Sequence, residues 1–593
     1  MDTELDRRGI ALNSMTLFSR HVDAKTRRHN FLRAFAPSWL KRPLLWFFPL
    51  LFLGVFFFLP LFKILAFTFD LSALTTSNLQ LAFRVLLFTF YQAILSTFLT
   101  LLAGLPSAYL FARYDFRGKS LLRALTAVPF MLPTVVVAAG FNALLGPRGW
   151  VSVIFPLSSF QFTGTLGAIL LAHIFYNTTI VIRIVGNALS RFDPKLEQAA
   201  RSLGADSRRA WWNVTLPLLR PPLLAAALLV FLFDFTSFGV ILLLGGPRFA
   251  TLEVEIYIQA LQLFNLPLAA LLSLIQLLST LAFSALYTRL VTRTTVQSAP
   301  RSAESNVRKA GSLREKIFVA SFIFLLSSFF ILPMLALPLR SISRLDANRA
   351  DRAQIQTGFT PDYYTELFIN RRDSIFYVPP VRAAFNSLGY AGATILLSLL
   401  LGFPAASALA KPGRLEKILD PILMLPLGAS AVTLGLGFII AFGRPVPLIT
   451  GNWSLITSPL LVPLAHTLVA LPFVIRTLQS SIASIPDRLR QAAASLGASP
   501  FRVWQTVDWP ILRRATLSAS IFAFTISLGE FGATALLSRP EYPTIPVAIY
   551  RFLSQPGGLN YGQAMAMATL LMALTTVGIL LIEKLRLPGA GEF

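Results

Sequence analysis

The four histidines, His21, His29, His173 and His466, are the first residues that chemistry could use, and none stands at metal-ligand spacing from another. The chain has no cysteine, which excludes disulfides, thiolate metal sites and cysteine nucleophiles. Gly118-Lys119-Ser120 has the ending of a phosphate-binding loop. Such a loop needs a glycine five residues before its second one, and Arg113 stands there, so the segment reads as a basic turn. No nucleophile lies beside a base, and neither enzyme chemistry nor a cofactor of the chain's own is expected. Two acids stand inside long apolar runs, Asp234 and Glu530. A carboxyl within a membrane span is costly and marks a function, here contact with a cationic substrate or a hydrogen bond between helices.

Those apolar runs dominate the sequence. Of 593 residues, 55% are hydrophobic and 13% charged, where a soluble domain carries about 25% charged residues. The solvent is therefore a bilayer. The net charge of +25 does not indicate nucleic acid, because the basic residues sit between apolar runs. Six runs long enough to span fall near 44–68, 84–112, 120–145, 165–189, 219–244 and 266–288, and six more near 316–339, 384–410, 418–442, 459–482, 515–537 and 562–583. The first is too long for a signal-peptide core and reads as a retained helix. The loops 113–123, 191–220, 289–316, 411–417 and 484–514 hold three to seven Lys and Arg each; the short loops on the other side hold none to two. The positive-inside rule then places both termini in the cytoplasm.

The two halves repeat. At an offset of 293, His173 falls on His466, Val181-Ile182-Arg183 on Val474-Ile475-Arg476, Phe238-Gly239 on Phe531-Gly532 and Tyr257 on Tyr550. Upstream the offset is 297, which pairs Pro129 with Pro426 and Gly140 with Gly437. Six spans per repeat give both copies one orientation, so a pseudo-twofold axis runs along the membrane normal. The organisation expected is a basic cytoplasmic tail (1–43), a first six-helix domain (44–290), a flexible cytoplasmic linker (291–314) and a second six-helix domain (315–593), an all-α membrane protein of about twelve helices.

Between the fourth and fifth spans of each copy lies a polar helical segment. It runs Asp193-Pro194-Lys195-Leu196-Glu197-Gln198-Ala199-Ala200-Arg201-Ser202-Leu203-Gly204 in one copy and Ile485-Pro486-Asp487-Arg488-Leu489-Arg490-Gln491-Ala492-Ala493-Ala494-Ser495-Leu496-Gly497 in the other. Proline opens the helix, alanines fill it, and glycine can close it in a left-handed cap. Asp206 and Ser499-Pro500 then signal a second start, before Pro217 and Pro510. Each loop is a helix–turn–helix whose small alanines admit the close approach of another protein.

These loops resemble the Glu-Ala-Ala motif of type I ABC importer permeases, in which three residues separate the alanines from a glycine and a proline follows thirteen beyond it. Ala199, Ala200, Gly204 and Pro217 match in the first copy, Ala492, Ala493, Gly497 and Pro510 in the second, and Gln198 and Gln491 replace the glutamate, with Glu197 beside the first. The resemblance covers nearly all of both halves. It implies that each loop docks on one subunit of a separate ATPase dimer, where ATP and magnesium are used. It also implies a solute-binding protein on the outer face and a place in a bacterial inner membrane. The fusion, with Ser237-Phe238-Gly239 and Gly529-Glu530-Phe531-Gly532 in the fifth spans, is most similar to the iron(III) and thiamine permeases. The expected substrate is iron(III) or a chelate, then thiamine, with sulfate, molybdate or a polyamine as alternatives. A secondary transporter, the other class built of two parallel six-span halves, has no need of the paired loops. Asp234, Ser237, Tyr257, Glu530 and Tyr550 are the expected substrate-path residues. The outer loop 340–382, about 30 residues longer than its counterpart 69–82 and bearing Tyr363, Tyr364 and Phe376, is expected to help dock the binding protein.

Overall fold

The computed structural model describes residues 42–69, 74–154, 162–294, 307–347, 355–369, 378–410, 413–443 and 458–585. The tail to residue 41, the linker between 294 and 307, and Phe376 lie outside them. The first half folds as α1 (Leu45–Thr68), α2 (Thr76–Arg113), α3 (Lys119–Met131), α4 (Thr134–Leu145), α5 (Leu166–Arg191), α6 (Pro194–Ser202), α7 (Arg208–Phe235), α8 (Gly239–Leu244), α9 (Leu252–Leu261) and α10 (Leu266–Leu290). The second folds as α11 (Leu313–Ser341), α12 (Pro380–Leu409), α13 (Arg414–Gly428), α14 (Ala431–Phe442), α15 (Leu461–Ser484), α16 (Asp487–Ser495), α17 (Pro500–Gly529), α18 (Gly532–Leu537), α19 (Ile545–Leu553) and α20 (Gly558–Leu581). Each of these ten helices of the first half has its repeat equivalent ten places later. A short hairpin of β1 (Ser343–Ala347) and β2 (Ile355–Phe359) follows α11.

Ten of these helices are long and apolar enough to cross a bilayer. The third span of each half departs from the straight crossing expected from sequence. It is a bent pair, α3 and α4 meeting at 110° and α13 and α14 at 96°. In the first pair Leu132 turns extended (ψ 145°) ahead of Pro133, because proline disfavours a helical residue before it and donates no hydrogen bond. In the second, Ala429 is extended and Ser430 starts α14 afresh, its hydroxyl accepting from Thr433 N. The fifth spans also break, at Thr236–Phe238 and at Glu530–Phe531.

The first span of each half packs on the other half. Trp46, Phe52 and Phe57 of α1 share a core with Leu401, Phe438 and Leu471. Leu326 and Phe330 of α11 share one with Leu110, Phe141 and Phe175. Glycines make the exchange possible: a Cβ on Gly437 would lie 2.9 Å from Pro60 Cβ, and one on Gly140 would lie 2.9 Å from the Pro333 carbonyl oxygen. Lipid competes for apolar surface in a membrane, so this close backbone approach, rather than hydrophobic burial, holds the spans together. Their outer faces carry exposed Phe62, Phe83 and Phe385, as lipid contact requires.

Two connections are held by specific contacts. The linker is fixed where it is described: Arg308 forms a parallel bridge with Tyr114, its N–H donating to Arg113 O (3.0 Å) and its carbonyl accepting from Asp115 N (2.9 Å). A capping box of Ser312 and Glu315 then opens α11. In the outer loop Tyr363 is buried over Gly562, and the Tyr364 hydroxyl bonds Ser341 (2.8 Å), so both rings anchor the loop. Among the described residues of the loop, Phe359 and Phe368 are the exposed aromatic ones.

Candidate functional site: the cavity between the halves and the paired polar loops

Where the broken spans meet, they leave a cavity of about 230 Å³ walled by both halves. Its wall includes Asp234, Ser237 and Phe238 from the first half, and Glu530 and Phe531 from the second. Glycine lets the walls close: a Cβ on Gly239 would lie 2.5 Å from Thr134 Oγ1, and one on its equivalent Gly532 would lie 3.0 Å from Ala431 Cβ.

Asp234 and Glu530 occupy positions that are not repeat equivalents, yet their surroundings are. In the first half His173 Nδ1 lies 3.3 Å from Asp234 Oδ1, and Nε2 bonds Ser237 Oγ at 2.8 Å. In the second, His466 Nδ1 bonds Ser527 Oγ at 2.7 Å, and Nε2 lies 3.2 Å from Glu530 Oε2. Each histidine on the fourth span thus joins a serine and a carboxyl three residues apart on the fifth, with the two types exchanged between copies. Both carboxyls have further donors. Asn177 Nδ2 donates to Asp234 (2.7 Å), while Ala533 N (2.8 Å) and Thr534 N (3.0 Å), at the start of α18, donate to Glu530. Of the two roles open from sequence, the geometry supplies the bond between helices for both acids, at the edge of the cavity.

Tyr257 and Tyr550 stand outside that wall. They meet edge to face at 6.3 Å and flank the stacked Phe238–Phe531 pair (5.3 Å), each within 5.7 Å of its own half's phenylalanine. Equivalent hydroxyls set the helices that carry them: Thr89 Oγ1 accepts from Leu252 N (3.0 Å) and Ser387 Oγ from Ile545 N (2.9 Å). Tyr550 also lines a second cavity, of about 250 Å³, with Asn142, Gln262 and Ser554. The four rings therefore stand between two cavities.

A third cavity carboxyl escapes sequence inspection. Glu253 of α9 is buried, with Oε1 accepting from Gln276 Nε2 (2.9 Å) and Oε2 from Ser430 Oγ of the other half (2.6 Å). It lies beyond the apolar run of the fifth span, and the equivalent position is Pro546, so neither hydropathy nor the repeat marks it. An acid in the stretch Leu252-Glu253-Val254, just before a tyrosine the repeat does mark, is the signal that was there.

The paired polar loops share one backbone. Gly204 and Gly497 take φ of +89° and +81°. Gly204 N donates to Arg201 O and Ala205 N to Ala200 O; Gly497 N donates to Ala494 O and Ala498 N to Ala493 O. Both are Schellman caps, which need a left-handed residue. Asp206 and Ser499 cap the next turns through Arg209 N (2.7 Å) and Arg502 N (3.4 Å). Leu203 and Leu496, one residue before the glycines, are 90% and 88% exposed. Position Glu197 becomes Arg490 in the second loop, and each charge is held within the chain, Glu197 by Arg113 (3.8 Å), Arg490 by Asp508 (2.8 Å) and Asp487 (3.0 Å). Gln198, Ala199, Ala200, Gln491, Ala492 and Ala493 lie on these two helices; Pro217 and Pro510 lie within α7 and α17.

Residues 100–296 match the family described as binding-protein-dependent transport system inner membrane component. The chain is 28% identical to the thiamine transport system permease protein of Brucella abortus over 507 residues, covering 84% of this chain and 87% of that one. The protein of the same name from Haemophilus influenzae is 28% identical over 509 residues, with the same coverage. That from Escherichia coli is 26% identical over 516 residues, covering 85% of this chain and 89% of that one.

Proposed function

We propose that the chain is a type I ABC importer permease with two units in one polypeptide, and the translocation subunit of a thiamine importer. The observation that carries this reading is the carboxyl-edged cavity walled by both repeats and closed on one side by their paired Phe and Tyr rings. Thiamine is a cation with an aromatic amine. Carboxyls and amide oxygens suit it, whereas sulfate or molybdate would put like charges together. The ranking drawn from sequence, iron(III) before thiamine, is reversed here, because relatives that align along both halves are named for thiamine.

In this reading the chain is a transport subunit and ATP hydrolysis, with its magnesium, belongs to a partner ATPase. Both termini and the paired loops lie in the cytoplasm. α6 and α16 sit in grooves of the ATPase dimer with Leu203 and Leu496 as apolar knobs, and closure of the dimer on ATP draws the halves toward an outward-facing state. A binding protein delivers substrate to the opposite face, near Phe359 and Phe368. The test is reconstitution in liposomes with the ATPase and binding protein that co-purify with the chain. ATP-dependent uptake of labelled thiamine is expected; uptake of iron(III) or an oxyanion without thiamine overturns the substrate, and purification without any ATPase overturns the assembly.

A further inference from the structure

Three carboxyls edge the cavity, and they differ in the side chains beside them. Asp234 and Glu530 each lie against an imidazole, at 3.3 and 3.2 Å. Glu253 has only an amide and a hydroxyl as donors, and among the described residues no Lys, Arg or His pairs with it. A buried carboxyl is costly in its charged form, and a bound cation would stabilise that form. A second feature points the same way. Asn177, 2% exposed in the same wall, accepts no hydrogen bond at Oδ1. The cavity therefore holds an unsatisfied acceptor and an uncompensated acid, the complement of a ligand with a positive charge and an N–H.

The repeat sharpens the case. Scaffold contacts of this permease recur in both halves, as the histidine clusters, the glycine approaches and the hydroxyl pins do. Glu253 and its partner Ser430 do not recur: their equivalents are Pro546 and Pro133, and Pro133 meets the other half through carbon, about 3.2 Å from where a Cβ of Gly529 would lie. The Glu253–Ser430 bond crosses between halves at the bend of one broken span; Gln276, the other donor to Glu253, lies one turn of α10 before Thr280, whose Oγ1 donates to Gly428 O (2.8 Å). One carboxyl thus faces the cavity and also ties together the two bodies whose separation would open it.

Resting on the thiamine reading above, we propose that Glu253 is the counter-ion for the cationic ring of the substrate, and that Ser430 competes with the substrate for it. Substrate entry then loosens the tie between the halves at α14.

The test uses the reconstituted importer and two substrates, thiamine and the neutral isostere in which carbon replaces the thiazolium nitrogen. Both chains work with the same binding protein, so its selectivity cancels in the comparison. Glu253→Gln keeps an acceptor for Ser430 and removes the charge. Its preference for thiamine over the isostere should fall by about tenfold, as the attraction between a carboxylate and a cationic ring is lost when the side chain becomes neutral, and Glu253→Asp should retain part of the preference. Ser430→Gly, tolerated at a helix N-cap, frees the carboxyl and should lower KM for thiamine with the preference intact. Equal loss for both substrates in Glu253→Gln assigns the residue to packing alone and overturns the counter-ion. An unchanged KM in Ser430→Gly overturns the competition. A wild-type importer that carries no thiamine overturns the substrate reading together with this one, whereas thiamine uptake with an unaltered preference in Glu253→Gln overturns only the role of Glu253.

Discussion

His173 and His466 show how a repeat can keep a chemical unit while exchanging its parts. Position 234 is aspartate where 527 is serine, and 237 is serine where 530 is glutamate. Aligned as sequence, the two fifth spans look asymmetric; placed in space, each imidazole still bridges one serine and one carboxyl. Glu530 adds a second duty, accepting from the first free N–H groups of α18. Glu530→Gln keeps one acceptor and leaves another donor of this cluster unmatched, at a cost of about 1–2 kcal/mol. The expected outcome is a lower Tm of the purified permease with KM for uptake within about twofold of wild type; a raised KM at unchanged Tm would return Glu530 to the substrate. The histidines, Asp234 and Glu530 were legible as residues, because acids in apolar runs and repeated histidines stand out. Their pairing was not, since it joins the fourth span to the fifth across about 60 positions. Glu253 carries a weaker signal, an acid in a short apolar stretch, because its helix is too short to register as a span.

At the scale of elements, local rules served well where local forces decide. The paired polar loops have the turn chemistry that proline, alanine and glycine dictate, and their left-handed glycines meet nothing within 4 Å, so backbone conformation rather than space selects glycine there. Gly497→Val should cost about 1–2 kcal/mol in the left-handed region and displace exposed Leu496. Gly497→Asn, which tolerates that region, should behave almost as wild type. The measurement is the amount of ATPase retained on the purified permease; equal retention by the valine and asparagine variants would mean that the cap does not set the docking surface. Local rules failed at the third spans. Hydropathy reads one run of apolar residues through 120–145 and another through 418–442, but Pro133 and the Ser430 cap divide them. The bends were hidden because mean hydropathy is blind to backbone hydrogen bonding.

For the whole molecule, the sequence repeat and the packed body are different units. Residues 44–290 repeat as a block, yet α1 of that block lies on the second half and α11 of the next lies on the first. The repeat is written along the chain, whereas the exchange depends on which glycine meets which proline across it, Gly437 with Pro60 and Gly140 with Pro333. Mutual exchange has a consequence for the covalent linker. Each half contributes a span to the other's core, so the association does not depend on the connection between them. Arg308, bridged to Tyr114 and placed over its ring at 5.6 Å, holds the start of the second half on the first from its own side of the linker. Residues 1–300 and 301–593, co-expressed as separate chains, should therefore co-purify and support uptake at a rate within about twofold of the intact chain. Gly437→Val drives a side chain into Pro60, and overpacking of this kind costs about 1–3 kcal/mol. That change should be mild in the intact chain, where the linker keeps the halves at high effective concentration, and severe in the split pair, where loss of co-purification is expected. If the split pair falls apart without any substitution, the linker holds the halves together and the exchanged spans are only neighbours. If Gly437→Val weakens the intact and split forms alike, its cost falls within the second half and the Gly437–Pro60 contact does not hold the two together.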